Sequence, residues 1–394
     1  MSQLPLDGIT VVDLTRVLSG PYCTMLLGDM GARVIKIEQP GRGDDTRAWG
    51  PPFLEGESTY FLSINRNKES VTLDFKHPDG RAILDALIAK ADVLVENFRP
   101  GTLAKLGLDY AALAPRFPRL VYCSVSGFGQ TGPRAKEAGY DAVMQAEGGL
   151  MSITGAPDGP PFRLGVAIAD IVSGMFAAYG VTASLLARER TGRGQQVDVG
   201  MLDAVAALLT YQAGNYFASG KPPARLGNRH PSIVPYEVFQ ASDGDFVVAV
   251  GNDDQWKKFC DVAGLAADDR YATNRQRVAQ YDELRPIIAG RLRTRSRQDW
   301  IDRLSAVGVP CGSVRNLDDL FRDPQIAARD MVAEVEHQTI GALRLLGVPV
   351  KLSDTPGTVR TPPPLLGQHT NDVLQRDLGV TSDRIAALRR NRVI

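Results

Sequence analysis

Cysteine and histidine are scarce in this chain of 394 residues, four of each, and neither is clustered. Cys23, Cys123, Cys260 and Cys311 have no CxxC or zinc-type spacing, and His77, His230, His337 and His369 are equally scattered. The thiols therefore read as small core residues in a reducing compartment, and no protein-held metal is expected. Charge of one sign is also missing, since 45 basic residues face 45 acidic ones. Nucleic-acid binding leaves a basic stripe, so no nucleic-acid partner is expected. The longest apolar stretch, 171–187, is broken by Ser173, Gly174, Gly180, Thr182 and Ser184. It is shorter than a usual membrane span and reads as a buried helix, with no membrane partner. The opening Met-Ser-Gln-Leu-Pro-Leu-Asp runs straight into a strand pattern, which predicts no secretory or transit peptide and a cytoplasmic location. Three phosphate or nucleophile signatures are absent as well: GxGxxG, GxxxxGK[ST] and GxSxG. Their absence disfavours redox dinucleotide binding, ATP-driven chemistry and a serine hydrolase of the α/β-hydrolase type.

What is present is an alternation of strand and helix. Apolar runs at Ile9–Leu14, Arg33–Glu38, Val71–Phe75, Asp92–Glu96 and Leu120–Val125 predict strands, with helices at Pro21–Met30 and about 79–91. Strands separated by helices of this length predict an α/β fold with a Rossmann-like, doubly wound parallel sheet. Two long apolar helices are expected at 171–189 and 199–219. The Gly/Pro/Arg/Asn-rich passage 220–235 then reads as a loop or linker. Beyond it a smaller α/β pattern has a strand at Phe246–Val250, a helix from Asp253, and helices near 282–293 and 297–306. A hairpin at Val332–Glu336 and Leu343–Leu346, a proline-rich crossing and amphipathic helices near 369–377 and 382–391 complete the chain.

One carboxylate stands out. Asp170, in Gly165-Val-Ala-Ile-Ala-Asp-Ile-Val-Ser-Gly174, ends a short apolar run where a small-residue helix begins. On position alone it reads as an N-cap, whose oxygen accepts first-turn amide hydrogens, and the same place suits a nucleophile. Several loops at predicted strand ends mix glycine with cations: Gly41-Arg-Gly-Asp-Asp-Thr-Arg47, Asn65-Arg-Asn-Lys68, Asn97-Phe-Arg-Pro-Gly101 and Gly127-Phe-Gly-Gln-Thr-Gly-Pro-Arg134. Singly, each arginine is an ordinary solvated side chain. Together they lie where open α/β sheets bind ligands, and they suit a polyanion carrying an adenine, a ribose phosphate and a diphosphate, as coenzyme A does.

The chain resembles the class III CoA-transferases, the family of formyl-CoA transferase and carnitine CoA-transferase. The matching stretches are Pro5-Leu-Asp-Gly-Ile-Thr-Val-Val-Asp-Leu14, Gly31-Ala-Arg-Val-Ile-Lys-Ile-Glu38, Asn65–Lys68, Val95-Glu-Asn-Phe-Arg-Pro-Gly101, Thr191-Gly-Arg-Gly-Gln195 and Pro364-Leu-Leu-Gly-Gln-His-Thr370. Stretches 43–53, 58–62 and 232–236 look most like the succinyl-CoA–glutarate branch. The resemblance implies Asp170 as nucleophile and CoA contacts from Leu18, Ser19, Leu73, Asp74, Phe75, Lys76, Asn97, Phe98, Arg99, Lys105 and Tyr140, with Arg134 beside them. Leu18 and Gln39 stand where formyl-CoA transferase has Gln and Arg, so those two contacts do not transfer. The tetraglycine loop of that enzyme is absent too, and Gly227-Asn228-Arg229-His230 occupies its region. In a dicarboxylate pocket the remote carboxylate wants a bidentate arginine, for which Arg47, Arg66 and Arg229 are candidates. Asn228, His230, Trp49 and Tyr60 complete the expected pocket.

The implied reaction moves CoA from an acyl-CoA, succinyl-CoA by the branch, to a small carboxylic acid such as glutarate, with no prosthetic group. The implied architecture is an interlocked, ring-shaped homodimer. Its large domain, 1–220 plus 330–394, is discontinuous, 221–235 is a linker and 236–329 the small α/β domain, while the C-terminal helices need a partner surface. A 2-methylacyl-CoA racemase of the same fold is the nearest alternative. It carries a His where this chain has Tyr140, and a phenol near pKa 10 is a poor base for an α-proton. A non-catalytic CoA-binding protein is the alternative of another class, but it would be expected to lose Asp170.

Overall fold

A computed structural model of the chain describes residues 4–394. By internal contacts the chain divides into two units. One comprises Met1–Leu150, Arg163–Gly214 and Pro324–Ile394, the other Met151–Phe162 and Asn215–Asp323. The passage 221–235 falls within the second unit.

The first unit is built on six parallel strands: β1 (Thr10–Asp13), β2 (Arg33–Glu38), β3 (Lys68–Thr72), β4 (Val93–Glu96), β5 (Val121–Ser126) and β6 (Gln196–Gly200). Their order across the sheet is β3-β2-β1-β4-β5-β6, with every neighbouring pair parallel. The order reverses between β1 and β4, and the carboxyl ends there form the crevice where doubly wound sheets bind ligands. The central strands are buried on both faces, which accounts for their continuous apolar runs.

Two strands differ from the sequence reading. β3 begins three residues before Val71, because Lys68 and Ser70 are polar yet buried and interrupt the apolar run. β6 was not expected at all. Its polar, half-exposed Gln-Val-Asp-Val-Gly pattern marks an edge strand, and its last residues were merged with the helix that follows. That helix is also two helices, α5 (Met201–Leu208) and α6 (Thr210–Ser219), broken where Thr210 takes a left-handed φ of 35°.

Helices α1 (Ser19–Asp29), α2 (Pro78–Ile88), α3 (Asp141–Glu147) and α4 (Ile168–Thr191) belong to this unit. Helix α4 is only partly the buried helix expected. Ala169, Val172, Ala177, Val181 and Leu185 are buried, while Met175, Phe176, Tyr179 and Leu186 are exposed along the opposite side. By length and composition alone its 24 residues are apolar enough to cross a membrane. On the other face of the sheet, helices α10 (Thr370–Leu378) and α11 (Ser382–Arg390) return to the core. Val373, Leu374, Ile385 and Leu388 pack with Ile83, Leu84 and Leu87 of α2 and with Val12 and Ile35 of the sheet. The surface these C-terminal helices need is therefore supplied by their own chain, which corrects the expectation that a partner provides it.

The second unit carries an antiparallel three-stranded sheet of β7 (Tyr236–Gln240), β8 (Asp245–Ala249) and β9 (Cys311–Ser313). Helices α7 (Asp253–Ala263), α8 (Tyr281–Leu292) and α9 (Arg297–Ala306) cover it. Trp300 sits fully buried at its centre, its indole donating to Leu292 O at 2.7 Å.

Arg66 is part of this scaffold. Its guanidinium grips Asp29 with two bonds, 2.9 and 2.7 Å, at a site 2 % exposed. Removing one partner of a buried pair strands the other charge, so Arg66→Met should lower unfolding free energy by about 3–5 kcal/mol in a denaturant titration. A change below about 1 kcal/mol would show that the pair is dispensable.

Candidate active site

Asp170 lies in the first turn of α4, as its third residue and not as its N-cap. The N-cap position is Ala167, which offers no side-chain acceptor. The orphan amide of Ala169 is instead taken by Asp141 Oδ1 at 2.9 Å. Asp141 Oδ2 accepts from Gln145 Nε2, and Gln145 Oε1 accepts from Leu164 N, so α3 fixes the segment leading into α4. Asp170 is thereby released from capping.

Its carboxyl faces a cavity of about 220 Å³ lined by Ser19, Asn97, Phe98, Ser126, Gly127, Gly139 and Tyr140 among others. Ser19 opens α1, which approaches α4 closely because Gly174 has no side chain: a Cβ there would lie 2.6 Å from Ser19 O. Gly127 and Gly139 are equally constrained, each leaving under 3 Å to the other's backbone. Burial, reinforced by the Asp141 carboxylate, pushes Asp170 up to about 7, with a hydrogen bond to Ser19 pulling the other way. The amide-rich helix start favours the anion, while burial and Asp141 hold the carboxyl near its point of ionisation. Tyr60 belongs to the same surroundings. Burial and the charges of Asp170, Asp141 and Asp44 push its hydroxyl up to about 12.

A larger cleft, about 470 Å³, opens at the carboxyl ends of β1, β2 and β3, lined by Arg16, Glu38, Leu73, Asp74, Phe75, Lys76 and Phe98 among others. Beneath it lies a buried ionic network. Lys36 Nζ donates to Thr15 O at 2.8 Å and to Asp44 at 2.9 Å, both Lys36 and Asp44 side chains being inaccessible. Lys68 Nζ reaches Asp13 at 3.2 Å, which also accepts from Thr15 and Thr24. Burial opposes the charge on Asp44, but Lys36 and the Thr46 bonds hold it down at about 2. Burial brings Lys68 down to about 8. Above the network Asp44 Oδ1 accepts from Val17 N, and Asn97 clasps the Arg16 backbone with two bonds, 2.9 and 2.7 Å. Val17 holds a left-handed φ of 70°, rare for a β-branched residue.

The structure sorts the expected residues. Asp170, Ser19, Asn97, Phe98, Arg99 and Tyr140 share the smaller cavity, and Leu73, Asp74, Phe75, Lys76 and Phe98 line the larger cleft. Leu18 is buried among Met25, Ile64 and Tyr60, and Lys105 is exposed on a turn outside both cavities. Arg134 is committed to Glu137 and Glu147 and lies over Phe128; it lines neither cavity itself, though its partner Glu137 lines the smaller one. Arg47 and Arg66 are corrections. Arg47 pairs in bidentate fashion with Glu38, at 2.8 and 2.7 Å, over the Phe61 ring, and Arg66 with Asp29, so neither guanidinium is available to a ligand carboxylate. Trp49 meets Tyr60 edge-on at 5.2 Å. In the second unit, Arg229 stacks on Tyr281 at 3.4 Å with its Nε buried and unpartnered among the described residues, His230 stacks on Tyr236, and Asn228 is exposed.

Residues overlooked in the sequence are Asp141, Ser126 and Glu96. Ser126 Oγ is buried on the cavity wall with no partner among the described residues. Glu96, pushed by burial to about 7, accepts the Phe98 amide. Asp141 directly follows Tyr140, and an acid there is visible in sequence though its reach to α4 is not. Among the described residues no group of three or more His, Cys, Asp or Glu is placed to hold a metal ion.

The sequence profile of CoA-transferase family III matches residues 6–370. The succinate–glutarate CoA-transferase of Agrobacterium fabrum is 45% identical over 94% of this chain and 95% of its own. The acetyl-CoA:oxalate CoA-transferase of Acetobacter aceti is 46% identical over 89% of each. A CAIB/BAIF family protein from Brucella suis, solved by crystallography, superposes with a TM-score of 0.84 at 42% identity, covering 95% of this chain and all of that one.

The raised Asp170 has a stability signature. Folded, it keeps its proton to about 7, whereas the unfolded carboxyl loses it near 3.8, so it stabilises the fold in acid and this contribution is lost as pH rises through 7. Asp170→Asn removes that loss. Its melting temperature should exceed that of the parent by a margin growing between pH 4 and 7, to a few degrees. A margin independent of pH would contradict the assigned environment.

Proposed function

The chain belongs to CoA-transferase family III, and from that premise we propose that it transfers CoA from succinyl-CoA to glutarate, with Asp170 carrying the exchanged groups. The observation that carries the reading is Asp170 itself, a carboxyl freed from capping and facing a cavity beside the larger cleft.

The exchange replaces one thioester by another and needs no phosphate donor. Ionised Asp170 attacks the succinyl-CoA carbonyl, and the C–S bond breaks to release the CoA thiolate and leave a mixed anhydride. The thiolate then attacks the Asp170 carbonyl, expelling succinate and forming an aspartyl-CoA thioester. Glutarate attacks that thioester, regenerating a thiolate and a second anhydride. The thiolate opens the anhydride at the glutaryl carbonyl, which gives glutaryl-CoA and frees Asp170. Every step needs a carboxylate that attacks when ionised and leaves when acylated. Burial with Asp141 nearby makes the Asp170 anion more nucleophilic than an exposed carboxylate, at the expense of a smaller ionised fraction below pH 7.

The active form is a homodimer of the interlocked type. Its support is the exposed stripe Met175, Phe176, Tyr179 and Leu186 on α4, a contiguous apolar face that monomers rarely leave in water.

Asp170→Ala should remove transfer by at least about 10⁴-fold with the fold intact, and full activity in that variant would end the proposal. Oxalate outcompeting glutarate in the parent would redirect the acceptor assignment toward the Acetobacter relative.

A further inference from the structure

The cations around the large cleft are mostly matched to the protein's own carboxylates. Lys36 is held by Asp44, Arg47 by Glu38, and both Arg16 and Arg42 by Asp45. Among the described residues Lys76 is the one lining cation with no carboxylate partner, so a polyanion entering the cleft gains from further positive charge nearby. A second cavity of about 280 Å³ adjoins the cleft, sharing Gln39 and Asp74 with it, and is walled by Arg389 and Arg392. Arg389 donates to Asn371 Oδ1 at 2.7 Å, and among the described residues neither arginine has a carboxylate partner.

The backbone here supplies an independent observation. Helix α11 ends with Val393 N donating to Leu388 O at 2.9 Å and Arg392 N to Arg389 O at 3.0 Å. That pair of bonds places Arg392 at φ 57°, the left-handed position that glycine fills in most helices ending this way. The turn is pinned at the rim, because Val393 is buried and its carbonyl accepts from Asp74 N at 2.7 Å. Asp74, the acidic member of the wall, turns its carboxylate to the Lys76 amide at 3.0 Å. A strained backbone thus holds a long cation at the mouth of the cleft, where a glycine would sit without strain.

We propose that this cavity binds the phosphomonoester on the ribose of coenzyme A, gripped by Arg392 with Arg389 alongside. The proposal rests on the cleft being the coenzyme's site. A guanidinium fork matches a phosphate dianion in bidentate fashion, and two such groups share its charge.

Calorimetry of the full chain with CoA and with dephospho-CoA, which lacks only that phosphate, tests it without requiring turnover. The parent should bind CoA at least about tenfold tighter than dephospho-CoA. Arg392→Gly should weaken CoA by about tenfold, leave dephospho-CoA unchanged, and raise the melting temperature as strain is released. Arg392→Asn, whose side chain tolerates the left-handed backbone, should show the same loss of discrimination. Parent-like discrimination in Arg392→Gly, or equal weakening for both ligands, overturns the proposal. Retained discrimination with no CoA transfer from any donor would count against the transferase reading and leave the phosphate site standing.

Discussion

The pairing of Lys36 with Asp44 beneath the carboxyl ends of β1 and β2 is the constraint on which the candidate site depends. Both side chains are fully buried, so each needs the other. Through Lys36 the pair holds Thr15 O, and through Asp44 it holds the Val17 amide. Those two bonds bend the chain sharply between β1 and α1 and keep Val17 in its left-handed conformation. The bend delivers Ser19 to the start of α1, where Gly174 of α4 lets the two helices close on each other. Asp13 and Lys68 extend the same network under β1 and β3. Loosening this foundation would misplace Ser19 and the walls of both cavities together.

On that foundation one carboxyl is kept apart from the structural ones. Asp44, Glu38 and Asp13 are each matched to cations and lie below the ordinary carboxylate range despite burial. Among the described residues Asp170 has no cation partner, and it faces a like charge, which moves it the other way. The contrast in surroundings separates carboxylates that hold the fold from the one suited to exchanging an acyl group and a thiol. Asp141 serves both ends of this arrangement: it caps α4 by accepting the Ala169 amide and adds the negative charge that Asp170 feels.

Much of this was legible in the sequence because apolar runs betray buried parallel strands, and β1, β2, β4 and β5 fall where those runs are. The misses share a cause, which is that a residue's type does not name its partner. Lys68 and Ser70 look like the end of a loop and are buried strand residues, since Asp13 and Glu38 lie opposite them. Asp170 looks like an N-cap and is not one, because the acceptor for Ala169 comes from 28 residues earlier. Arg47 and Arg66 look like free cations in glycine-rich loops and are sequestered by Glu38 and Asp29, which only the folded sheet brings near. Asp170 stands out in the sequence because its setting in the chain and its family position agree. Charge in the sequence does not tell a free arginine from one already paired within the fold.

In the proposed reaction Asp170 itself becomes covalently attached to the coenzyme. Protein mixed with succinyl-CoA in the absence of any acceptor acid, quenched in acid within milliseconds and digested, should yield the peptide containing Asp170 with the added mass of CoA in thioester linkage. Hydroxylamine should convert that adduct to the Asp170 hydroxamate. Unmodified Asp170 in protein that is turning over, or the adduct on any other carboxylate, would contradict the account.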